Sequence, residues 1–302
     1  VKYTRTVDVS NCISISGTTF VIDTNETLHK KKMKSIAVLL TVFNRKEKTL
    51  QCLGNLYKQL PIQGYSVDIY LTNDGCTDST PEAIAQKFPE VNIIHSKGNL
   101  FWNRGMYTAW EEATKRKEYD YYLWLNDDTF IYPDSISRLL NDSISVKDEA
   151  IICGATCSEK DGKPTYGGRN NNGIIPPNGS LQICQHFNGN VVLIPRYVYQ
   201  RIGNLDYTYS HALGDFDYGL RAGKIGIKSY QSKEYIGTCE QHNSLAKWCN
   251  SSYPLKERIR VFHSPLGGHP KENFYFERKH YGVFPACLHY FTIHLRLFIP
   301  QI

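Results

Sequence analysis

Several common devices are missing from this 302-residue chain. It has no run of the ~18 consecutive apolar residues that crosses a bilayer as a helix, which sets aside a helical span within these residues. It has no Cys-x-x-Cys pair, which argues against a zinc ribbon or a thioredoxin-type redox centre. Its nine cysteines are odd in number and scattered. They read as free thiols of a reducing compartment, hence a cytoplasmic location, rather than as a disulfide framework. Zinc-finger spacing, an aromatic RNA-binding motif and long Lys/Arg runs are also absent, so nucleic acid is not an expected partner. The net charge of +6 still favours anions, which leaves nucleotide phosphates or an acidic membrane face.

What is present is an ordinary globular balance, 41% hydrophobic and 21% charged, enough for one large domain or two modest ones. Residues 1–32 are polar and end in Lys30-Lys31-Lys32. They are expected to be an extension outside the core, with Met33 near the natural start. Ser35–Phe43 is a nearly continuous apolar run, the mark of a strand buried on both faces. Lys46–Gln59 places Leu50, Leu53 and Leu56 on one helical face. Strands are expected at Val67–Leu71, Val91–His95 and Tyr121–Leu125, with helices after Pro81 and on to about Lys117. This alternation predicts an α/β fold with a doubly wound, mostly parallel central sheet. Further on, the pattern suggests a short helix at Pro133–Leu140, a strand at Ile151–Ala155 and an irregular Gly/Asn-rich loop at 167–173. A strand at Val191–Ile194, a helix from Pro195, a helix opening at Gly214 and a strand at Ile225–Tyr230 follow. From about residue 251 the chain becomes a basic, aromatic C-terminal extension, in which Val283–Phe298 interleaves apolar residues with His and Arg.

Chemistry is suggested at five places. The strand Tyr121–Leu125 stops on Asn126-Asp127-Asp128, and paired carboxylates at a sheet's C-terminal edge suit Mg²⁺ or Mn²⁺ shared with substrate phosphates. A turn or helix cap would use the same residues. The strand end Thr41-Val42-Phe43-Asn44-Arg45 and the neighbouring Asn73-Asp74-Gly75 form one crevice that could hold a nucleoside, or could simply be turns. Asn103-Arg104-Gly105, at a helix start, offers amides and a guanidinium to a diphosphate, although stretch 98–105 is not a Gly-x-Gly-x-x-Gly motif. Asp215 opens a helix and is placed either to cap it or to act as a general base; Asp217 and Arg221 have the spacing of a helical ion pair. Of the ten histidines, His242 is the best-placed additional metal ligand.

Taken in order, Leu-Thr-Val-Phe-Asn-Arg (40–45), Asn-Asp-Gly-Cys-Thr-Asp-Ser-Thr (73–80), Gly-Asn-Leu-Phe-Trp-Asn-Arg-Gly (98–105), Leu-Asn-Asp-Asp-Thr (125–129) and Gly-Asp-Phe-Asp-Tyr-Gly-Leu-Arg (214–221) resemble the family 2 inverting glycosyltransferases of GT-A fold, especially the rhamnosyltransferase-like bacterial members. The resemblance covers roughly residues 35–245. It implies a GT-A domain at 33–250, with a nucleotide-binding half at 33–130 and an acceptor-binding half at 131–250. It implies that Thr41, Phe43, Asn44 and Asp74 hold the nucleoside, that Arg104 approaches the diphosphate, and that Asp128 binds Mg²⁺ or Mn²⁺ with Asp127 assisting at the nucleotide. Asp215 matches the proposed catalytic base. The donor would be a UDP- or dTDP-sugar. The acceptor would be a hydroxyl of a polysaccharide or lipid-linked glycan, with a peripheral contact of the C-terminal segment on the inner face of the plasma membrane. Two departures stand out. Asn126 replaces the first acid of the family's Asp-x-Asp motif. Gly214 replaces a Glu before the base, which predicts that Asp215 ionises more readily. A non-catalytic nucleotide-sugar-binding protein and a scaffold subunit of a polysaccharide assembly complex are the alternative classes.

Overall fold

The apolar run after Met33 forms β1 (Lys34–Val42), whose central residues Ile36 to Leu40 are completely buried. In this computed structural model, which describes residues 33–241 and 245–300, the alternation predicted for the first half is present. It continues through α1 (Lys46–Tyr57), β2 (Tyr65–Asn73), α2 (Thr80–Lys87), β3 (Asn92–His95), α3 (Phe101–Arg116) and β4 (Tyr121–Leu125). Burial on both faces explains why β1 and β4 read as apolar runs. On one face Val38, Leu40 and Leu123 pack with Leu53 and Leu56 of α1 and Ile84 of α2. On the other, Ala37, Leu39 and Trp124 pack with Met106, Ala109 and Trp110 of α3. Asp78 helps to set both flanking helices, since its carboxylate accepts the N–H of Lys46 at 3.2 Å and of Thr80 at 3.1 Å.

The second half adds β5 (Phe130–Ile131), α4 (Ser135–Ser145), β6 (Ile151–Cys157), β7 (Pro164–Tyr166), β8 (Gly168–Asn170), β9 (Gly173–Ile174), β10 (Gln182–Cys184) and β11 (His186–Phe187). It continues with β12 (Val191–Pro195), α5 (Arg196–Ile202), α6 (Gly214–Lys224) and β13 (Ser229–Thr238). The main sheet runs β10-β13-β6-β12-β4-β1-β2-β3, so both halves share one sheet. β1, β2, β3 and β4 are mutually parallel, while β12 lies antiparallel between β4 and β6. In register, Val42 faces Asn73 across β1 and β2, and Leu39 faces Trp124 across β1 and β4. The three strands therefore end at one edge.

Two expectations are corrected. The strand expected at Ile225–Tyr230 begins only at Ser229, because 225–228 form the turn closing α6: Gly226 has φ +80°, and the Ile227 N–H returns to the Ala222 carbonyl at 3.0 Å. The loop expected at 167–173 contains β8 and the start of β9, a tight antiparallel pair turned at Asn171-Asn172 and joined by β11 in a small second sheet. Strands of two or three residues are too short to show an alternating pattern.

The C-terminal extension is helical: α7 (Leu255–Phe262), α8 (Pro270–Tyr281) and α9 (Val283–Phe298). It falls in the same compact unit as the sheet. Among the described residues no helix is long and apolar enough to cross a membrane. The eight described cysteines are free. Residues 1–32, expected as an extension, lie outside the described residues.

Candidate active site

The loops leaving β1, β2 and β4 open onto a cavity of about 770 Å³, a volume that suits a small-molecule ligand. This is the edge of the sheet at which open α/β folds bind ligands. Thr41, Phe43, Asp74, Asp127, Asp128 and Asp215 all line it. The structure thus brings together six of the positions singled out in the sequence.

Phe43 is a large ring left 56% exposed at the cavity wall, which suits it to stack on a flat ligand. Thr41 lies behind it, where α3 comes so close that any side chain at Gly105 would collide with Thr41. Asn44 holds a left-handed backbone (φ 49°), and its Oδ1 accepts the Thr77 N–H at 2.8 Å. It ties the loop after β1 to the loop after β2 and is not among the lining residues. Asp74 is committed to the start of α3. Its carboxylate accepts the Leu100 N–H at 2.9 Å, the Phe101 N–H at 2.8 Å and the Ser96 hydroxyl at 3.0 Å. It shapes the wall with a carboxylate that already carries three donors.

Arg104 is turned away from the cavity. Its guanidinium donates to the carbonyls of Tyr207 (3.1 Å) and Thr208 (3.2 Å), sits over the Tyr207 ring, and does not line the cavity. The face of α3 that bears Arg104 points toward segment 206–209, where buried Asn103 also donates to the Asp206 and Tyr209 carbonyls. The guanidinium that does line the cavity is Arg45. It belongs to the strand-end motif 40–45, but its partners lie 82 and 83 residues away, and no local pattern reveals them.

Those partners are the acidic pair. Arg45 Nη1 lies 2.7 Å from Asp128 Oδ2 and 3.3 Å from Asp127 Oδ1. Burial pushes the Asp127 carboxyl up to about 7, against the opposing pull of Arg45. Its Oδ2 is buried with no hydrogen-bond partner. Asn126 is engaged elsewhere, its side-chain oxygen accepting the Trp102 indole N–H at 2.7 Å.

An unpartnered buried carboxylate oxygen beside a second carboxylate fits a hard divalent cation, which would complete its shell with ligand oxygens and water. Asp128 and Asp127 are the residues that would hold it. Among the described residues no group of three or more His, Cys, Asp or Glu forms a complete metal cage. His242 lies outside the described residues.

Asp215 sits in the first turn of α6. Its Oδ2 accepts the Gly189 N–H at 2.9 Å and its Oδ1 the Phe216 N–H at 2.9 Å. Burial pushes its carboxyl up to about 6, and these amides pull the other way. Desolvation therefore outweighs the amide hydrogen bonds that favour the charged form. Gly214 has a packing reason: any side chain there would run into the Asn103 amide. Asp217, two residues on, is fully buried and structural. It meets Arg221 at 2.8 Å, Lys279 at 2.7 Å and His280 at 2.8 Å, which fastens α8 to α6.

Two further residues complete the wall: Trp102 of the 98–105 stretch and His211, a lesser histidine candidate for a metal ligand than His242. Trp102 packs against Gly189, leaving no room for a side chain there, and so bridges Asn126 and the loop that holds Asp215. His211 lines the cavity with its Nδ1 buried and unpartnered. Desolvation, followed by the charge of Arg45, lowers its pKa.

Residues 37–215 match the family model described as glycosyl transferase family 2. No curated protein matches by sequence. Among solved structures, the chain is similar to a mannosyltransferase from Pyrobaculum calidifontis in complex with GDP-Man and Mn²⁺. The TM-score is 0.51 at 13% identity, over 84% of this chain and 73% of that one. At that identity the likeness is one of fold, and the fold is GT-A.

Proposed function

The chain belongs to glycosyl transferase family 2, and from that premise we propose that it moves a sugar from a nucleotide diphosphate donor to an acceptor hydroxyl with inversion. The observation that carries this reading is the shared cavity: Asp127, Asp128 and Asp215 line one cleft at the sheet's C-terminal edge. Phe43 stacks on the base. Asp215 accepts the proton of the acceptor hydroxyl while that oxygen bonds to the anomeric carbon from the face opposite the nucleotide. The bond from that carbon to the diphosphate breaks, and the nucleoside diphosphate leaves. A carboxyl pushed up to about 6 is a stronger base than an ordinary Asp and is still ionised near neutrality. Mg²⁺ or Mn²⁺ at Asp128, with Asp127 and His242 as further candidate ligands, would supply charge stabilisation for the leaving diphosphate. The solved mannosyltransferase of similar fold, in complex with GDP-Man and Mn²⁺, supports both a nucleotide-sugar donor and a divalent cation. The proposed donor is a UDP- or dTDP-linked hexose or deoxyhexose of rhamnosyl type, and the acceptor is a polysaccharide or lipid-linked glycan.

The reading extends to a peripheral contact with the cytoplasmic membrane face. Phe284, Leu288, Phe291, Leu295 and Phe298 recur on α9 at spacings of four, three, four and three. Phe284 is 86% and Phe291 65% exposed, whereas Ala286 and Leu297 on the opposite side are buried. No Asp or Glu follows Glu277, while Arg278 and Arg296 do. Such a helix suits an anionic lipid surface. In vesicle co-sedimentation with anionic lipids, a Phe284→Glu/Phe291→Glu variant should lose binding; unchanged binding would rule the helix out.

The test of function is a panel of UDP-, dTDP- and GDP-sugars with Mn²⁺ or with EDTA, read by thermal shift and by nucleoside diphosphate release. One donor should stabilise the protein only with metal and release its diphosphate. Binding without release in the presence of acceptors would favour a non-catalytic nucleotide-sugar-binding protein, and no binding by any donor a scaffold subunit.

A further inference from the structure

Arg45 occupies an unusual position. A guanidinium nitrogen lies 2.7 Å from the Asp128 oxygen that a cation would use, and it also reaches Asp127. One carboxylate oxygen serves a close guanidinium or a divalent ion poorly at the same time, since the two cations repel and compete for the same lone pairs. The Arg45 side chain is 43% exposed, so it can leave the pair without unpacking the core. It stands at the mouth of α1, directly after the strand-end loop that carries Phe43, and lines the same cavity.

We propose that Arg45 is the exchangeable counter-ion of the Asp127–Asp128 pair, holding it until a donor arrives and then passing its guanidinium to the diphosphate as a divalent cation takes the carboxylates. This rests on the donor and metal reading above. The diphosphate gives Arg45 an acceptor at least as good as the one it loses, because guanidinium and phosphate pair through charge-assisted hydrogen bonds. Metal alone must evict Arg45 into water. Metal with donor evicts it onto a ligand. The two ligands therefore bind with positive coupling, and linkage requires that coupling to be reciprocal. The arrangement keeps a cation on the acidic pair between turnovers and makes the metal site one that the donor completes.

The test is Mn²⁺ binding followed by electron paramagnetic resonance, without nucleotide and with UDP, dTDP or GDP. It compares wild type, Arg45→Met and Lys97→Met. Lys97 lines the same cavity and controls for simple loss of positive charge. Without nucleotide, Arg45→Met should bind Mn²⁺ about 10–100-fold more tightly than wild type, the range that one charge-assisted hydrogen bond is worth. Its further gain on adding nucleoside diphosphate should be smaller than that of wild type. Lys97→Met should shift Mn²⁺ affinity by much less. Equal or weaker Mn²⁺ binding by Arg45→Met overturns the exchange while leaving the transferase reading intact, as does an equal gain by Lys97→Met. Absence of Mn²⁺ binding in all three proteins, with or without nucleotide, overturns the metal site itself. Circular dichroism and the thermal midpoint of each variant separate these outcomes from misfolding.

Discussion

The Gly189 N–H points at Oδ2 of Asp215 from 2.9 Å, so the carboxylate is aimed by the loop before β12 rather than by its own helix alone. The same glycine is pressed against Trp102, whose indole is hydrogen-bonded to Asn126. Asp215 and the acidic strand end are thereby linked through one aromatic side chain, which makes the geometry of each depend on the other.

The raised pKa of Asp215 predicts opposite effects on rate and stability. As the proposed base, Asp215 works only when ionised, so kcat/KM should fall as the pH drops through about 6. For stability, the folded-state value lies above the unfolded value of about 3.9. The stabilising contribution is therefore complete below about 4 and is lost as the pH rises through the folded value. Asp215→Asn should melt higher than wild type near neutral pH, with the gap closing in acid. Scanning calorimetry at both ends of the range measures it.

Phe43 is exposed and makes little of the core. Phe43→Ala should leave the thermal midpoint nearly unchanged and weaken donor binding about 5–100-fold, the worth of one ring stacked on a base. Isothermal titration with the best donor of the panel checks this. Unchanged affinity would remove Phe43 from the nucleoside site.

Gly214 is held to glycine by Asn103. Gly214→Ala should cost about 1–3 kcal/mol through overpacking and lower kcat by shifting the turn that carries Asp215. In an Asn103→Ala background the additional cost of Gly214→Ala should shrink, as expected for residues in contact. Denaturant unfolding of the four proteins of this cycle provides the numbers.

Fully buried Asp217 pairs with Arg221 and Lys279 and is hydrogen-bonded to the His280 ring. Asp217→Ala should destabilise by about 3–5 kcal/mol, because it leaves buried groups unpaired. It should also expose α8 to proteolysis. A loss confined to activity, with normal stability, would instead give Asp217 a chemical role.

The parallel half of the fold is legible in the sequence because β1 and β4 are buried on both faces and write themselves as apolar runs between helices of clear period. The short strands around 164–187 are not, since two or three residues carry no period and their pairing is set by distant partners such as β6 and β13. At the site, strand ends carry Thr41, Phe43, Asp74, Asp127 and Asp128 to the cavity, and a helix start carries Asp215. Side-chain direction is not legible. Arg104 and Arg45 both neighbour motif residues, and only the packing of α3 against segment 206–209 turns one away from the cleft while the other meets the acids. The raised value at Asp215 is not legible in the sequence, because local charge can be read from neighbours along the chain, whereas desolvation comes from the assembled wall.

The most direct test of the central claim compares wild type with Asp215→Asn for donor affinity and for nucleoside diphosphate release with acceptor and Mn²⁺. If Asp215 is the base of an inverting transfer, donor affinity should be retained while release falls by about 10²–10⁴-fold, the usual contribution of general base catalysis. Turnover by Asp215→Asn at the wild-type rate would contradict the account.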